Sequence, residues 1–445
     1  RRDWRPARPW IFGEFNDADD YRDLDEIAAA AGGSLPWYFS EKNPIHPLTK
    51  LAYTEQRERM AQLDLDFDVQ TIQRLSRQQS FVVRKHILEK VRARSGMGGY
   101  VVTGLRDTPL ATSAMFDDLG RAKYPAETFR QFNADGVLLL EQGRARIWRH
   151  GGDRPAPTDL HNHPAGAAVD LRLLINSTEG AAAGSTYTWR LIDAARHTVE
   201  AGGGPCAETI PPSQPRTLGS IQFRAPNVSD PAEYTLEVEC GTLRNHWPLW
   251  VYPVVTEWPP DLTLYDPAGS LDWIDDPALN DTRRATLTSG GVVLAGAWTD
   301  ALADFIRAGG RALILQTGPG ALPSAPCPFW RESIKLLHDH PAWRGFPQRG
   351  YTDMQFYHLA SDHAFTLDDW ALKDAQAITP ILERLDARLF TLRAYLVELR
   401  LGKGAALAST LRFGGGAGDQ VVGLRANIAG RWLLARLLRY LAAGA

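Results

Sequence analysis

Two stretches of this 445-residue chain place charged side chains where acid–base or nucleophilic chemistry is done on α/β folds, at the end of an apolar run. Pro9-Trp-Ile-Phe-Gly-Glu14-Phe15 is short and apolar, then gives way to the Asp-rich stretch Asn16 to Asp25. That is the pattern of a buried strand emptying into a loop. Tyr100 to Leu105 repeats it and ends in Arg106 and Asp107. A carboxylate so placed can attack an electrophilic carbon or carry a proton. It can equally be a solvated acid at a strand end, and Arg106 and Asp107 can equally form a structural ion pair. In the loop after the first run, Trp37 and Tyr38 offer amphipathic rings that suit the apolar faces of sugars. The alternative for Trp37 is burial in the loop's own small core.

Other reactive residue types are poorly placed. His161 and His163 form a His-x-His pair, but a metal needs three or four convergent ligands and the surrounding Pro/Gly-rich turn offers none. His338 and His340 meet the same objection and read as helix-end residues. Cys206, Cys240 and Cys327 are too few for a disulfide framework or a cysteine metal cage, although Cys206 and Cys240 could pair in an oxidising compartment. A nucleophilic thiol needs a sharp turn directly after a strand and a backing histidine, but Cys327 sits in Pro-Cys-Pro, where two prolines stiffen the backbone and no strand is expected close before it. Gly414 to Gly418 lacks the Lys-Ser/Thr ending of a phosphate loop, and no cofactor is implied.

The elements that would position these residues fall into three sections. Over residues 1–135, the apolar runs at 9–15 and 100–105 flank helical stretches at Pro47 to Met60 and Ser76 to Arg94. In the second of these, Val83, Ile87 and Val91 recur every four residues. Strand, helix, strand with polar C-terminal strand ends is the unit of a (β/α)8 barrel. Residues 136–253 show short alternating strands at 145–149, 169–175, 186–191, 221–224, 234–238 and 249–252. Turns such as Gly202 to Pro205 separate them, which points to an immunoglobulin-like β-sandwich. Residues 254–445 alternate strands at 262–265, 292–295, 312–315 and 406–411 with helices at 300–308 and 428–441, the pattern of a flavodoxin-like α/β domain.

Read together, three motifs resemble one family. Pro9 to Glu14 resembles the seventh barrel strand of glycoside hydrolase family 2 and its clan. Gly98-Gly-Tyr-Val-Val-Thr-Gly-Leu-Arg-Asp-Thr-Pro109, Phe116-Asp-Asp118 and Pro125-Ala-Glu-Thr-Phe-Arg-Gln-Phe132 resemble the eighth strand and exit segment of a family 2 subgroup. Asn245-His-Trp-Pro-Leu-Trp-Val-Tyr-Pro253 resembles the closing strand of that subgroup's immunoglobulin-like domain, and the remainder is similar to its glutamine-amidotransferase-like terminal domain. The resemblance implies that Glu14 is the nucleophile of a retaining glycosidase, with Asn16, Trp37, Tyr38, Arg106 and Asp107 around the sugar. A retaining pair also needs a second carboxyl group about 5 to 5.5 Å away. In the family that acid follows an Asn on the fourth strand, and no Asn-Glu pair occurs in this sequence. Chemistry by this chain alone is therefore not expected. The missing barrel portion is expected from the same gene product or from a partner chain, since Arg1 is followed almost at once by a strand, without Met or an apolar leader.

Composition narrows the partners. A net charge of -3 gives no basic surplus to hold a phosphate backbone. No run of about 18 apolar residues is present, so no membrane span is expected. Carbohydrate is the expected ligand, and an oligomer is compatible with the sequence. The other class of reading is a carbohydrate-binding or scaffold protein without catalysis.

Overall fold

The computed structural model describes residues 10–15, 17–39, 53–63, 65–94, 97–109, 111–142, 146–149, 152–155, 158–181, 184–206, 208–212, 214–287, 290–330, 334–372, 374–386, 390–416 and 420–444. In chain order the first elements are β1 (Trp10–Phe15), α1 (Leu24–Ala30), a 3-10 turn at Trp37–Phe39, α2 (Tyr53–Gln62), α3 (Val69–Arg92), β2 (Met97–Val102) and α4 (Ala126–Arg130). Strands then dominate: β3 (Gly136–Gln142), β4 (Arg146–Arg149), β5 (Gly152–Pro155), β6 (Asn162–Pro164), β7 (Ala168–Ser177), β8 (Thr186–Asp193), β9 (Thr198–Pro205), β10 (Arg216–Arg224), β11 (Ala232–Cys240) and β12 (Leu243–Tyr252). The rest mixes both types: β13 (Leu262–Tyr265), α5 (Pro277–Asn280), β14 (Arg283–Arg284), β15 (Val292–Ala295), α6 (Asp300–Arg307), β16 (Arg311–Leu315), β17 (Ser324–Pro326), β18 (Lys335–Leu337), β19 (His363–Phe365), β20 (Ala375–Leu385), β21 (Leu392–Leu401), β22 (Gly404–Ser409) and α7 (Ile428–Ala442). The chain is thus a mixed α/β protein with more strand than helix. It divides into two units, one of Arg1–Ala18, Phe81–Thr108 and Ser113–Pro253, the other of Asp19–Ser80, Pro109–Thr112 and Val254–Ala445.

In the first unit β1 and β2 pair in parallel, with Phe12 opposite Tyr100 and Phe15 opposite Val102. Two antiparallel-rich sheets follow, ordered β10-β7-β3 and β6-β12-β11-β8-β9. Their shared core includes Leu173, Trp189, Leu236 and Trp247. The period-two alternation explains the packing: in β11, Tyr234, Leu236, Val238 and Cys240 are buried while Glu239 faces out. One expectation fails here. Gly202 to Pro205, read as a turn, belongs to β9, whose glycines let the backbone lie against aromatic rings. A Cβ on Gly202 would come within 2.7 Å of the Trp189 ring, and one on Gly219 of β10 within 2.4 Å of Tyr187.

In the second unit the strand order is β14-β13-β15-β16-β22-β21-β19-β17, with β20 paired to β18 and β21. The first five strands run parallel; β21 and those beyond it are antiparallel. Helix α6 buries Leu302, Ala303 and Ile306 and is capped by the Thr299 hydroxyl, which accepts from the Leu302 N–H at 3.1 Å. The long β20–β21 pair was not anticipated from sequence. Pro380 and the buried charges of Glu383, Arg384 and Glu398 break the apolar alternation that would announce it.

Candidate functional site

Glu14 lies on β1, one residue before the Phe15–Val102 pairing, and its side chain is exposed. The loops that leave β1 and β2 are tied together, because the Ser113 hydroxyl donates to the Asp17 carboxylate at 3.0 Å. Asn16 lies outside the described residues.

Arg106 and Asp107 follow β2, which ends earlier than the sequence pattern indicated, and they do not pair with each other. Asp107 is an internal brace. Its side chain is 3% exposed and meets the Lys123 ammonium at 2.8 Å, while also accepting the Ala114 N–H at 3.1 Å. Arg106 instead donates from Nε to the Asp118 carbonyl at 3.1 Å, and Leu105 accepts the Phe116 N–H at 2.9 Å. The segment after β2 is therefore folded back by charge and backbone bonding together.

Trp37 and Tyr38 belong to the second unit, in a 3-10 turn beside α1. Leu24, Ile27 and Phe39 make the small core there, with Leu35 and Tyr38 packed against it. Trp37 does not join it: the residue is 71% exposed and its ring stands edge-on to Tyr38 at 5.8 Å. Of the two readings open for this residue, burial in the loop core is excluded.

The histidine pair is structural in its contacts. His161 Nδ1 is 2.8 Å from the Pro248 carbonyl and His163 Nε2 is 3.1 Å from that of Leu160. Burial pushes both pKa values down to about 4. Asp159, which accepts from the His161 N–H at 2.8 Å and the Asn162 side-chain amide at 2.6 Å, is pushed up to about 6 by burial. Among the described residues no group of three or more His, Cys, Asp or Glu is placed to hold a metal. His338 is not at a helix end; it follows β18 and lies 2.6 Å from Glu383. His340 does cap a turn, accepting the Ala342 N–H at 3.2 Å.

The cysteines are all free and buried. Cys240 pairs with Tyr187 on one side of β8, and Cys206 bonds to Ser185 on its other side. Two strand spacings, roughly 9 to 10 Å, separate them. A disulfide tolerates Cα atoms no more than about 7 Å apart, so this geometry does not allow one. Cys327 does follow a short strand, β17, contrary to the sequence reading, but its sulfur faces Arg384 Nη1 at 2.7 Å and the Tyr395 hydroxyl at 3.4 Å, with no histidine among these contacts.

Sequence reasoning missed a buried polar network in the first unit. On α3, Lys85 pairs with Glu89, and it donates to the Asn245 side chain of β12 at 2.7 Å. Glu89 also accepts from Asn245 at 2.8 Å and from the Trp247 indole at 2.9 Å. The Asn245 to Pro253 motif was the available signal, and its polar members turn out to hold helix α3 to the sandwich.

A domain of unknown function (DUF8488) matches residues 173–253, and another (DUF8487) matches residues 332–445. No curated protein matches this chain. Among solved structures, the alkylpurine DNA glycosylase AlkC of Pseudomonas fluorescens, bound to DNA with an abasic site analogue, is 11% identical at TM-score 0.16. It covers 20% of this chain, and the match spans only 27% of that one. A chitin binding domain from Burkholderia pseudomallei is 9% identical at TM-score 0.17, covering 28% and 88% of the two chains. The sulfur carrier protein SoxY of Chlorobium limicola f thiosulfatophilum is 8% identical at TM-score 0.14, covering 26% and 79%. Likenesses this slight carry no argument about the present chain.

Proposed function

We propose that this chain is part of a retaining glycoside hydrolase related to family 2, with Glu14 as its nucleophile and an oligo- or polysaccharide as its substrate. In this reading β1 and β2 are the last two strands of a (β/α)8 barrel, the sandwich is of immunoglobulin type and the terminal domain is flavodoxin-like. The strand order β14-β13-β15-β16-β22 supports the last point, since it is the flavodoxin-like order 2-1-3-4-5. The observation that carries the functional reading is the parallel pairing of β1 with β2, which sets an exposed Glu14 at a carboxyl strand end. There the carboxylate attacks the anomeric carbon, the glycosidic C–O bond breaks, and the leaving oxygen takes a proton from a separate acid. Water then hydrolyses the glycosyl ester and restores the carboxylate.

A trapping experiment tests this without needing that acid. The product of the complete reading frame is incubated with 2,4-dinitrophenyl 2-deoxy-2-fluoroglycosides of several sugars, whose leaving group departs unprotonated. A stable glycosyl adduct on the peptide carrying Glu14, absent in Glu14→Gln, is the expected result. An adduct on another carboxylate, or none across the series, removes Glu14 from the mechanism.

The exposed Trp37 favours a second reading, in which the chain holds carbohydrate by ring stacking without cleaving it. Under that reading Trp37→Ala weakens oligosaccharide binding about 5- to 30-fold, as loss of an aromatic contact of about 1 to 2 kcal/mol requires. Unchanged binding rules the stacking role out.

A further inference from the structure

In the second unit His338 stands between two carboxylates. Its Nε2 lies 2.6 Å from Glu383 of β20, whose side chain is 2% exposed, and its Nδ1 faces Asp66 at 3.7 Å, in ion-pair rather than hydrogen-bond range. A neutral imidazole has one N–H and one lone pair, so it must turn the lone pair towards one of these anions. Only the imidazolium suits both. Burial by itself lowers the His338 pKa, but the hydrogen bond and charge of Glu383, followed by Asp66, outweigh it and hold the group above its ordinary 6.5.

The two acids come from different elements. Strand β18, which His338 follows, is three residues long and among the described residues pairs with β20 alone. Leu336 sits opposite Glu383, and the His338 N–H donates to the Ile381 carbonyl at 3.1 Å, so His338 and Glu383 are diagonal neighbours. Asp66 belongs to the joint between α2 and α3. There Leu65, Phe67 and Val69 pack against the cluster that holds Leu336 and Leu385, and the Phe67 ring stands edge-on to His338 at 5.1 Å. The cations of β18 and β20 turn elsewhere: Lys335 lies over the Phe329 ring and Arg384 meets the Cys327 sulfur. Asp68 accepts the Thr71 N–H at 2.7 Å, at the start of α3. Among the described residues, Glu383 and Asp66 are thus the charged groups that face His338.

We infer that His338 is a pH-operated clasp: as the imidazolium it bridges Glu383 and Asp66 and straps the α2–α3 joint onto β18 and β20, and as the neutral ring it gives up Asp66 and loosens both the joint and the strand edge. The sign follows from the tighter proton binding of the folded state. The stabilisation is complete below pH 6.5 and is lost as pH rises through the folded value, opposite to His161 and His163 of the first unit. Opening uncovers Leu336 and Leu385, so alkali exposes an apolar strip that mild acid keeps shut. The clasp needs neither Glu14 nor a sugar.

Two measurements on the 445-residue chain test it. NMR titration of the imidazole, assigned with His338→Gln, is expected to give a pKa above 6.5. Hydrogen exchange at pH 6 and pH 9, each corrected for the intrinsic rate, should show residues 65–69 and 334–338 opening at least about 3-fold more at pH 9, while β16 and β22 change little. The ratio should follow the measured pKa, about tenfold for each pH unit above 6.5. His338→Gln, which keeps a donor for Glu383, should open equally at both values. Asp66→Asn alters a side chain that is 91% exposed, leaves the fold intact and should weaken proton binding by His338 about 1.5- to 5-fold. A titration at or below 6.5, equal opening of the joint at pH 6 and pH 9, or Asp66→Asn with an unchanged titration overturns the inference. So does a pH dependence that survives in His338→Gln.

Discussion

Mild acid should weaken the sandwich, and His161 and His163 set the amount. Both are buried beside β6 and β12, each with one ring nitrogen on a backbone carbonyl, and burial holds their pKa values near 4 against 6.5 in the unfolded chain. Between those values the unfolded state binds more protons, so stability falls as pH drops below 6.5. At pH 5 each histidine has lost 1.5 units of linkage, about 2 kcal/mol, or about 4 kcal/mol for the pair. Asp159 opposes them. Its pKa is raised to about 6, so its protonation favours the folded state as pH falls through 6, returning about 1 kcal/mol at pH 5. These three groups together give an expected loss of about 2 to 3 kcal/mol between pH 7 and pH 5. His86, also held well below its usual value by burial and then by Lys90, acts in the same direction as the pair. Urea unfolding at the two pH values, followed by the fluorescence of Trp189, Trp247 and Trp250, measures it. His163→Gln should remove about 2 kcal/mol of the pH dependence. Equal midpoints at pH 7 and pH 5, or a Gln variant with undiminished dependence, would refute the reasoning.

Glu89→Ala should destabilise the first unit by about 3 to 5 kcal/mol, because it leaves the Lys85 ammonium buried without its counter-charge and strips the Trp247 indole of its acceptor. Adding Lys85→Met to Glu89→Gln, which keeps an acceptor for the indole, should recover most of that loss in the same urea assay. Gly219→Ala should cost about 1 to 3 kcal/mol, since its Cβ would lie 2.4 Å from the Tyr187 ring in a packed core. A thermal melt within a degree of the parent would show instead that Tyr187 can move aside.

Where neighbouring residues alone choose the element, the sequence was legible. The runs at 262–265 and 292–295 became β13 and β15 with those bounds, and α6 and α7 follow their apolar periodicity to within a residue or two. The runs around Glu14 and Tyr100 became strands for the same reason. The β20–β21 pair stayed hidden because the partners of its buried charges, such as His338 for Glu383 and Tyr440 for Glu398, are more than 40 residues away. Strand β9 stayed hidden because a glycine that receives an aromatic ring looks, in sequence, like a glycine that makes a turn.

The candidate site divides along the same line. Residue types and periodicity were enough to put a carboxylate at the end of an apolar strand, and to place aromatic residues in the loop beyond it. The sequence resemblance already set the two strands side by side, as they are found, whereas tertiary structure alone decided that Asp107 is spent on Lys123 and that Trp37 faces solvent while Phe39 is buried. Local geometry depends on side chains within a turn or a pleat of one another, and these are written side by side. Which groups then meet is set by burial and charge balance across long separations, which no short window of sequence contains.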